Sequence, residues 1–146
     1  MPFAPVPLYR DLLDAANERI LVMDPSLAAV RDTLRLVALP GGPSQARRPV
    51  VVLNRLGRPG GLSRRQIEDA LHMKVDIVIP DLPRQIGGAA SLGEPAVSRS
   101  GPFRTAIVDL AKQVAFTRLL DGAKSGRLTD DGTKAKSRWR WVEWLR

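Results

Sequence analysis

The chain has 146 residues, 44% of them hydrophobic, and a formal net charge of +8. This length suits one domain with a buried core. Cysteine is absent and His72 is the single histidine, which excludes disulfides and thiol chemistry and argues against a histidine-based metal site or catalytic triad.

Segments that would direct the chain to a membrane or out of the cell are not recognised in the sequence. No run reaches the roughly 18 apolar residues of a transmembrane helix. Residues 1–7 lack both the basic start and the apolar centre of a signal peptide, so the cytoplasm is the expected compartment. The positive charge favours polyanionic partners such as nucleic acid, anionic lipid or nucleotide.

The first half of the chain is predicted to alternate helix and strand. Apolar residues at positions 8, 12, 13 and 16 have helical spacing, which predicts a helix over residues 9–17. The apolar run in residues 19–23 predicts a buried strand. Ser26 is placed to cap a helix that runs to Val37, and the β-branched run in residues 50–54 predicts the second strand.

A glycine-rich turn and a capped helix are predicted after the second strand. Residues 57–61 read Gly-Arg-Pro-Gly-Gly, which is typical of a tight turn and also allows backbone to approach a ligand or partner closely. Ser63 and Gln66 have the spacing of a capping box for a helix over residues 64–72. The apolar run in residues 75–79 predicts the third strand.

Two helices, a linker and a tail are predicted for the rest of the chain. A helix over residues 82–92 contains two glycines, which make it short or irregular. The longest helix spans residues 102–120. Residues 121–137 are rich in Gly, Lys, Asp and Ser and form a predicted flexible linker. A Trp/Arg-rich amphipathic tail over residues 138–146 follows it.

Strands separated by helices predict a parallel sheet with helices on both faces. Ligands of such sheets bind at the carboxyl ends of the strands. Those ends are predicted at Met23-Asp24-Pro25, Asn54-Arg55 and Pro80-Asp81. Asn54 offers a carboxamide donor and acceptor, which suit the edge of a purine base, and the alternative is an asparagine that caps a strand–loop junction.

The sequence contains no phosphate-binding loop. Such a loop needs Gly-x-x-x-x-Gly-Lys-Ser/Thr, so that backbone N–H groups and a lysine surround the phosphates. The nearest match, residues 88–93, is followed by Glu94, which repels phosphate, and Pro95, which removes a donor. We therefore expect no catalytic residues, no metal site and no ATPase activity unless another chain completes the site.

Two clusters of cations stand out. Residues 47–65 hold six arginines and no acid. Apart from Arg55, these arginines define a predicted basic face, which either is solvated or contacts a polyanion: Arg47, Arg48, Arg58, Arg64 and Arg65. The second cluster is in the tail, where docking on protein, membrane contact and stacking on single-stranded nucleic acid are the alternatives for Trp139, Trp141, Trp144 and Leu145.

Five motifs occur in order between about Leu8 and about Leu120: Leu12 to Asn17, Asp24 to Asp32, Val51 to Leu62, Ile79 to Asp81 and Ser91 to Pro95. The Asn-Arg-x-Gly-Arg-Pro-Gly-Gly string that starts at Asn54 is the most specific of them. In this order the motifs resemble the C-terminal half of CpaE/TadZ-type pilus assembly proteins, which belong to the MinD/ParA-like group of deviant P-loop ATPases.

The resemblance implies a fold class and the remnant of a nucleotide site. The fold would be a partial three-layer α/β/α, P-loop-NTPase-like (SIMIBI-class) domain over residues 1–120. Its sheet would be mainly parallel, and it would lack the N-terminal half that carries the phosphate loop, as a truncated protein, a split-gene product or a fragment. In the group the cofactor is ATP, and an adenine-side remnant would carry over to Asn54, Arg55, Pro80 and Asp81. We expect no cofactor for this chain alone.

Three functions follow from these observations as alternatives. The first is a non-catalytic, CpaE/TadZ-like role with the pilus machinery in the assembly or polar localisation of Flp (tight-adherence) pili. The second is one half of a split MinD/ParA-like ATPase, completed by a chain that bears the P-loop. The third is ParA-like nonspecific DNA binding, with nucleic acid the least favoured partner. The resemblance also implies homodimers and, through the tail, peripheral contact with the inner membrane or the cell pole.

Overall fold

The computed structural model describes residues 7–42, 45 and 48–125. Helices and strands alternate along these residues: α1 (Pro7–Ala15), β1 (Ile20–Met23), α2 (Leu27–Val37), β2 (Val50–Leu56), α3 (Arg64–Leu71), β3 (Ile77–Pro80), α4 (Pro83–Ser91), a 3₁₀ turn (Ala96–Ser98) and α5 (Pro102–Ser125). The predicted order of helices and strands is confirmed.

The three strands form one parallel sheet in the order β1-β2-β3. β1 pairs with β2 from Ile20 opposite Val50 to Met23 opposite Leu53. β3 pairs with the other side of β2. The predicted parallel sheet is confirmed, and the carboxyl ends of its strands lie together at one edge.

Contacts divide the chain into two compact units, one ending at Pro83 and the other beginning at Arg84. The sequence predicted a single domain over residues 1–120, and this assignment stays a prediction. The first unit holds α1 to α3 and the sheet. The second holds α4, the 3₁₀ turn and α5.

The core of the first unit lies where the sheet meets α2 and α3. Val51 and Leu53 of β2 are fully buried. They form one cluster with Met23, Val30, Ile67, Leu71 and Val75. Burial of one side chain of this size contributes about 1.5–3 kcal/mol to stability. The core therefore fixes the position of β2 up to its carboxyl end.

Side-chain caps fix where α2 and α3 begin. The Ser26 Oγ accepts a hydrogen bond from the Ala29 N–H at 3.1 Å. Ser63 and Gln66 form both halves of a capping box. These two caps were predicted and are confirmed, and α3 ends where His72 adopts a φ of +53°.

Two predicted strands differ from the structure. The burial predicted for residues 19–23 is wrong, because β1 has a neighbouring strand on one side only within the described residues. Met23 is buried there, whereas Ile20 and Val22 are 41% and 64% exposed. β2 was predicted to end at residue 54 but continues to Leu56, because a bulge carries the strand past Asn54.

The second unit is helical in the residues that the structure describes. α4 is a continuous helix across Gly87 and Gly88. α5 continues past the predicted end at residue 120 to Ser125 and so takes up the start of the predicted linker. The Arg104 Nη1 donates to the Val97 carbonyl at 3.3 Å, which ties α5 to the 3₁₀ turn. The rest of the linker and the tail, with Trp139, Trp141, Trp144 and Leu145, lie outside the described residues.

Candidate functional site

A bulge in β2 positions the two residues that were predicted to hold a base. Leu53 pairs with Val78 and Leu56 pairs with Pro80, so β2 uses one more residue than β3 over this stretch. The residues within the bulge are Asn54 and Arg55, and Arg55 has a φ of +59°. Bulges bend a strand and change the direction of its side chains, and they are common beside functional sites.

Arg55 and Asp81 join the ends of β2 and β3. The Arg55 Nε lies 3.3 Å from the Asp81 Oδ1. The Asp81 N–H also donates to the Leu56 carbonyl at 2.8 Å. Pro80 pairs with Leu56, so Arg55, Pro80 and Asp81 lie at the same carboxyl edge of the sheet. Their role in holding adenine stays a prediction.

Asn54 is half-buried at the same edge. Within the described residues its side chain makes no hydrogen bond. The alternative in which Asn54 caps the strand–loop junction therefore has no bond to support it. Contact of the carboxamide with a purine base stays a prediction.

The glycine-rich loop after β2 closes on the end of β1. The Leu62 N–H donates to the Pro25 carbonyl at 2.8 Å. A Cβ at Gly61 would lie 2.9 Å from the Pro25 Cγ, a distance that side-chain atoms do not tolerate. The Arg58 Nη1 lies 3.6 Å from the Asp24 Oδ2. The loop therefore connects the ends of β1 and β2. Glycine is needed at position 61 because the loop backbone lies so close to Pro25.

The carboxyl edge thus carries two ion pairs, Arg58–Asp24 and Arg55–Asp81. Each arginine comes from β2 or the loop after it, and each aspartate follows a neighbouring strand. Because both arginines are about half-exposed, each pair contributes less than about 1 kcal/mol. The pairs still neutralise the arginines that an anionic ligand would otherwise meet at this edge. Asp24 and Arg58 were not predicted to pair, because sequence spacing does not show contacts between strand ends.

The arginines of the basic face are paired wherever the structure describes them. Four acids lie within salt-bridge distance of Arg48, Arg58, Arg64 and Arg65: Asp76, Asp24, Glu68 and Asp69, respectively. All four acids lie outside residues 47–65, which is why the sequence window suggested uncompensated charge. Arg47 lies outside the described residues.

Glu68 is a buried charged residue that the sequence analysis missed. Its side chain is 9% exposed and accepts hydrogen bonds from the Lys74 Nζ and the Arg64 Nε, each at 2.8 Å. The Val75 N–H donates to the same carboxylate at 3.2 Å. These bonds, that from Lys74 first and that from Arg64 next, lower the pKa of Glu68 from 4.5 to about 2. The four-residue spacing of Arg64 and Glu68 on a helix was the available signal.

The described residues provide neither a metal site nor a membrane-spanning helix. Among these residues no three or more His, Cys, Asp and Glu side chains are grouped to hold a metal ion. None of the helices described is both long and apolar enough to cross a membrane. The three alternatives for the tail stay predictions, because residues 138–146 are not described.

No protein-family model and no curated protein matches the sequence. Several solved structures match the fold, among them two that contain MinD. The first is the MinD cell division protein of Aquifex aeolicus, with a TM-score of 0.60 and 25% identity over 76% of this chain and 49% of that chain. The second is the MinC:MinD cell division protein complex of the same organism, with a TM-score of 0.58 and 23% identity over 90% and 51%.

The chain has a MinD/ParA-like fold. It spans about half the length of the MinD chains that it matches. The predicted class, α/β and P-loop-NTPase-like at partial coverage, is confirmed by these matches and by the parallel sheet. The narrower resemblance to CpaE/TadZ-type proteins stays a prediction.

Proposed function

We propose that the chain is a non-catalytic MinD/ParA-like interaction module of the CpaE/TadZ type. It would act in the assembly or polar localisation of tight-adherence pili. The carboxyl edge of the sheet carries this proposal, because its arginines pair with Asp24 and Asp81 and the sequence supplies no phosphate loop. Phosphate contacts at a loop and helix N-terminus dominate nucleotide binding in such folds, so an edge without them favours a structural role.

The string that starts at Asn54 supports the CpaE/TadZ part of the proposal. Its Gly61 lies against Pro25, and the adjoining Leu62 donates to the Pro25 carbonyl. Through these contacts the string connects the ends of β1 and β2 and determines the shape of the carboxyl edge. This structural role does not require phosphate binding. We infer that it preserves a surface which pilus components contact.

The non-catalytic part is tested with the purified chain. We expect ATP hydrolysis at the level of the buffer blank and no measurable heat of ATP binding in calorimetry. Asn54→Ala is the matched control, since it removes the predicted contact with the base and leaves the ion pairs in place. Hydrolysis by the wild-type chain that Asn54→Ala reduces would reject the proposal.

The pilus part is tested in the organism that encodes the chain. We expect deletion of the gene to abolish tight-adherence pili or to displace them from the pole, and re-expression to restore them. Gly61→Val, which breaks the tie to Pro25, should fail to restore them, while Gly87→Ala, where an added Cβ meets no atom, should succeed. Normal pili in the deletion strain would reject this role.

A second candidate is the complementing half of a MinD/ParA-like ATPase. The specific observation in its favour is that this chain covers about half the length of each MinD chain that it matches. The test is co-purification with a P-loop-bearing chain encoded beside this one. ATP hydrolysis that needs both chains and that Asn54→Ala reduces would support the candidate. A mixture of the two wild-type chains that does not hydrolyse ATP would reject it.

DNA binding is not proposed, because the described arginines of the basic face are paired.

A further inference from the structure

α1 is held at its carboxyl end by the loop that follows α2. The Gln45 Nε2 donates to the carbonyls of Leu13 and Ala16, the latter at 2.9 Å. A Cβ at Gly42 would lie 2.7 Å from the Cα of Asp14, so the loop backbone lies directly against α1. These contacts fix the position of α1 before a partner binds, which lowers the entropy cost of binding through its other side.

The other side of α1 combines an exposed leucine with a carboxylate. Leu12 is 61% exposed, and Asp11 and Ala15 are exposed as well. Ala15 lies three residues after Leu12 and four after Asp11, so the three residues share one side of the helix; we call them the α1 face. Among the described side chains, Asp11 has no ion-pair or hydrogen-bond partner.

α2 presents a second exposed surface, the α2 face, which consists of Leu27, Arg31 and Leu34. The two leucines are 74% and 41% exposed, and Arg31 is exposed between them. The leucines are two turns apart, about 10.5 Å along the helix, and lie on the same side as Arg31. In the described part of the chain Arg31 has no ion-pair partner, whereas Arg35 on the same helix pairs with Asp32.

The two faces are complementary in shape and charge. When helices pack, a side chain of one inserts between side chains that are a turn or two apart on the other. Leu12 can enter the gap between the two leucines of the α2 face, and the small Ala15 beside it permits close approach. Two α2 faces would bring two Arg31 side chains together, and two α1 faces would bring two Asp11 carboxylates together. Opposite charge therefore favours the contact between unlike faces.

We propose that the α1 face of one copy of this chain packs on the α2 face of a second copy. Leu12 inserts between Leu27 and Leu34, and the Asp11 carboxylate pairs with Arg31. Each copy carries both faces, so the contact closes into a reciprocal pair or repeats from copy to copy. The inference rests on α1 and α2 alone and is independent of the role in pili.

Sedimentation velocity of the full chain over a range of concentrations measures this contact. We expect the wild-type chain to self-associate, and Leu12→Lys, Asp11→Arg and Arg31→Glu each to weaken the association about tenfold. Arg84→Glu is the matched control, because it makes the same change of charge at an exposed arginine of the second unit. This control should associate as the wild-type chain does.

A mixture of the two charge-reversed variants tests whether the contact joins two copies. Alone, Asp11→Arg places two cations in the contact, and Arg31→Glu places two carboxylates there. In the mixture, every contact between unlike variants again joins opposite charges, so we expect association to return toward the wild-type level. Because this recovery requires both variants to be folded, it also excludes misfolding as the cause of the loss.

Three outcomes would overturn the proposal. The first is a wild-type chain that stays monomeric at every concentration. The second is association that the face variants do not weaken or that the mixture does not recover. The third is a monomeric chain that binds a P-loop-bearing chain through Leu12, which would make that chain the occupant of the α1 face.

Discussion

The Arg55 side chain reaches the Asp81 carboxylate, Nε to Oδ1 at 3.3 Å, while its own backbone stands at a φ of +59°. The left-handed conformation costs a residue with a Cβ about 1–2 kcal/mol. A half-exposed ion pair contributes less than about 1 kcal/mol, so the pair alone does not offset the strain. Leu53, two residues before Arg55, is fully buried, so the packing of β2 restricts the backbone where the bulge begins.

Replacement of Arg55 by glycine separates the strain from the ion pair. Arg55→Gly and Arg55→Ala both lose the contact with Asp81, but only glycine adopts the left-handed conformation without strain. After allowance for the larger unfolded-state entropy of glycine, we expect Arg55→Gly to be more stable than Arg55→Ala by about 0.5–1 kcal/mol. Urea unfolding followed by far-UV circular dichroism measures this difference. An alanine variant of equal or greater stability would show that Arg55 is not strained.

His72 offers an independent check of the same physics, because its φ is +53° at the end of α3. We expect His72→Gly to exceed His72→Ala in unfolding free energy by a similar amount, about 0.5–1 kcal/mol. His72 is exposed, so loss of packing does not complicate the comparison. Urea midpoints in the order alanine above glycine would contradict the expectation.

Gly61 is predicted to be intolerant of a side chain. A Cβ there would lie 2.9 Å from the Pro25 Cγ and 3.0 Å from the Arg58 carbonyl oxygen. We expect Gly61→Ala to lower the unfolding free energy by about 1–3 kcal/mol, the usual cost of overpacking. In a Pro25→Ala background the cost should be smaller, because the nearest clashing atom is gone. The same cost in both backgrounds would show that contact with Pro25 is not the cause.

Local signals in the sequence predicted the elements that local chemistry determines. Ser26, Ser63 and Gln66 bond to backbone within three residues of themselves, so their spacing was sufficient to place the starts of α2 and α3. The apolar run of β2 identified a strand but not its bulge, because a bulge depends on the register with β3. Exposure of Val22 depends on which strands lie beside β1, and this also is not a local property.

The candidate site was predictable as a place but not as a set of contacts. The rule that parallel sheets bind at their carboxyl ends brought Asn54, Arg55 and Asp81 to one edge, and the structure places them there. The pairing of Asp24 with Arg58 joins residues that are far apart in sequence. Only the fold brings these two residues together, and the same holds for Arg48 and Asp76.

Asp76 is predicted to matter more for stability than its partner Arg48. Its carboxylate accepts bonds from the Arg48 guanidinium at 2.6 Å and from the Val51 N–H at 2.8 Å. Asp76→Ala leaves the N–H of the fully buried Val51 without its acceptor, at an expected cost of about 1–3 kcal/mol. Arg48→Ala removes an exposed partner and should cost less than about 1 kcal/mol. Equal losses in urea unfolding would mean that the ion pair, not the Val51 bond, carries the contribution.

Glu68 is predicted to make stability depend on pH in the acid range. Its pKa is about 2 in the folded chain, lowered from 4.5 first by the hydrogen bond from Lys74 and next by that from Arg64. A group whose pKa is lower in the folded state binds its proton more weakly there than in the unfolded state. Its stabilising effect is therefore complete above pH 4.5 and is lost as the pH falls toward 2.

Glu68→Gln isolates this pH dependence, because glutamine keeps the size of the side chain and does not titrate. We expect the wild-type chain to exceed Glu68→Gln in unfolding free energy near neutral pH, and the gap to close as the pH falls from 4.5 toward 2. Asp69→Asn is the matched control, since the neighbouring Asp69 is exposed on the same helix and pairs loosely with Arg65 at 3.8 Å. Urea unfolding at a series of pH values measures the gap. A gap that stays constant across this range would show that the Lys74 and Arg64 bonds do not hold Glu68 ionised, and that its contribution to stability comes from packing instead.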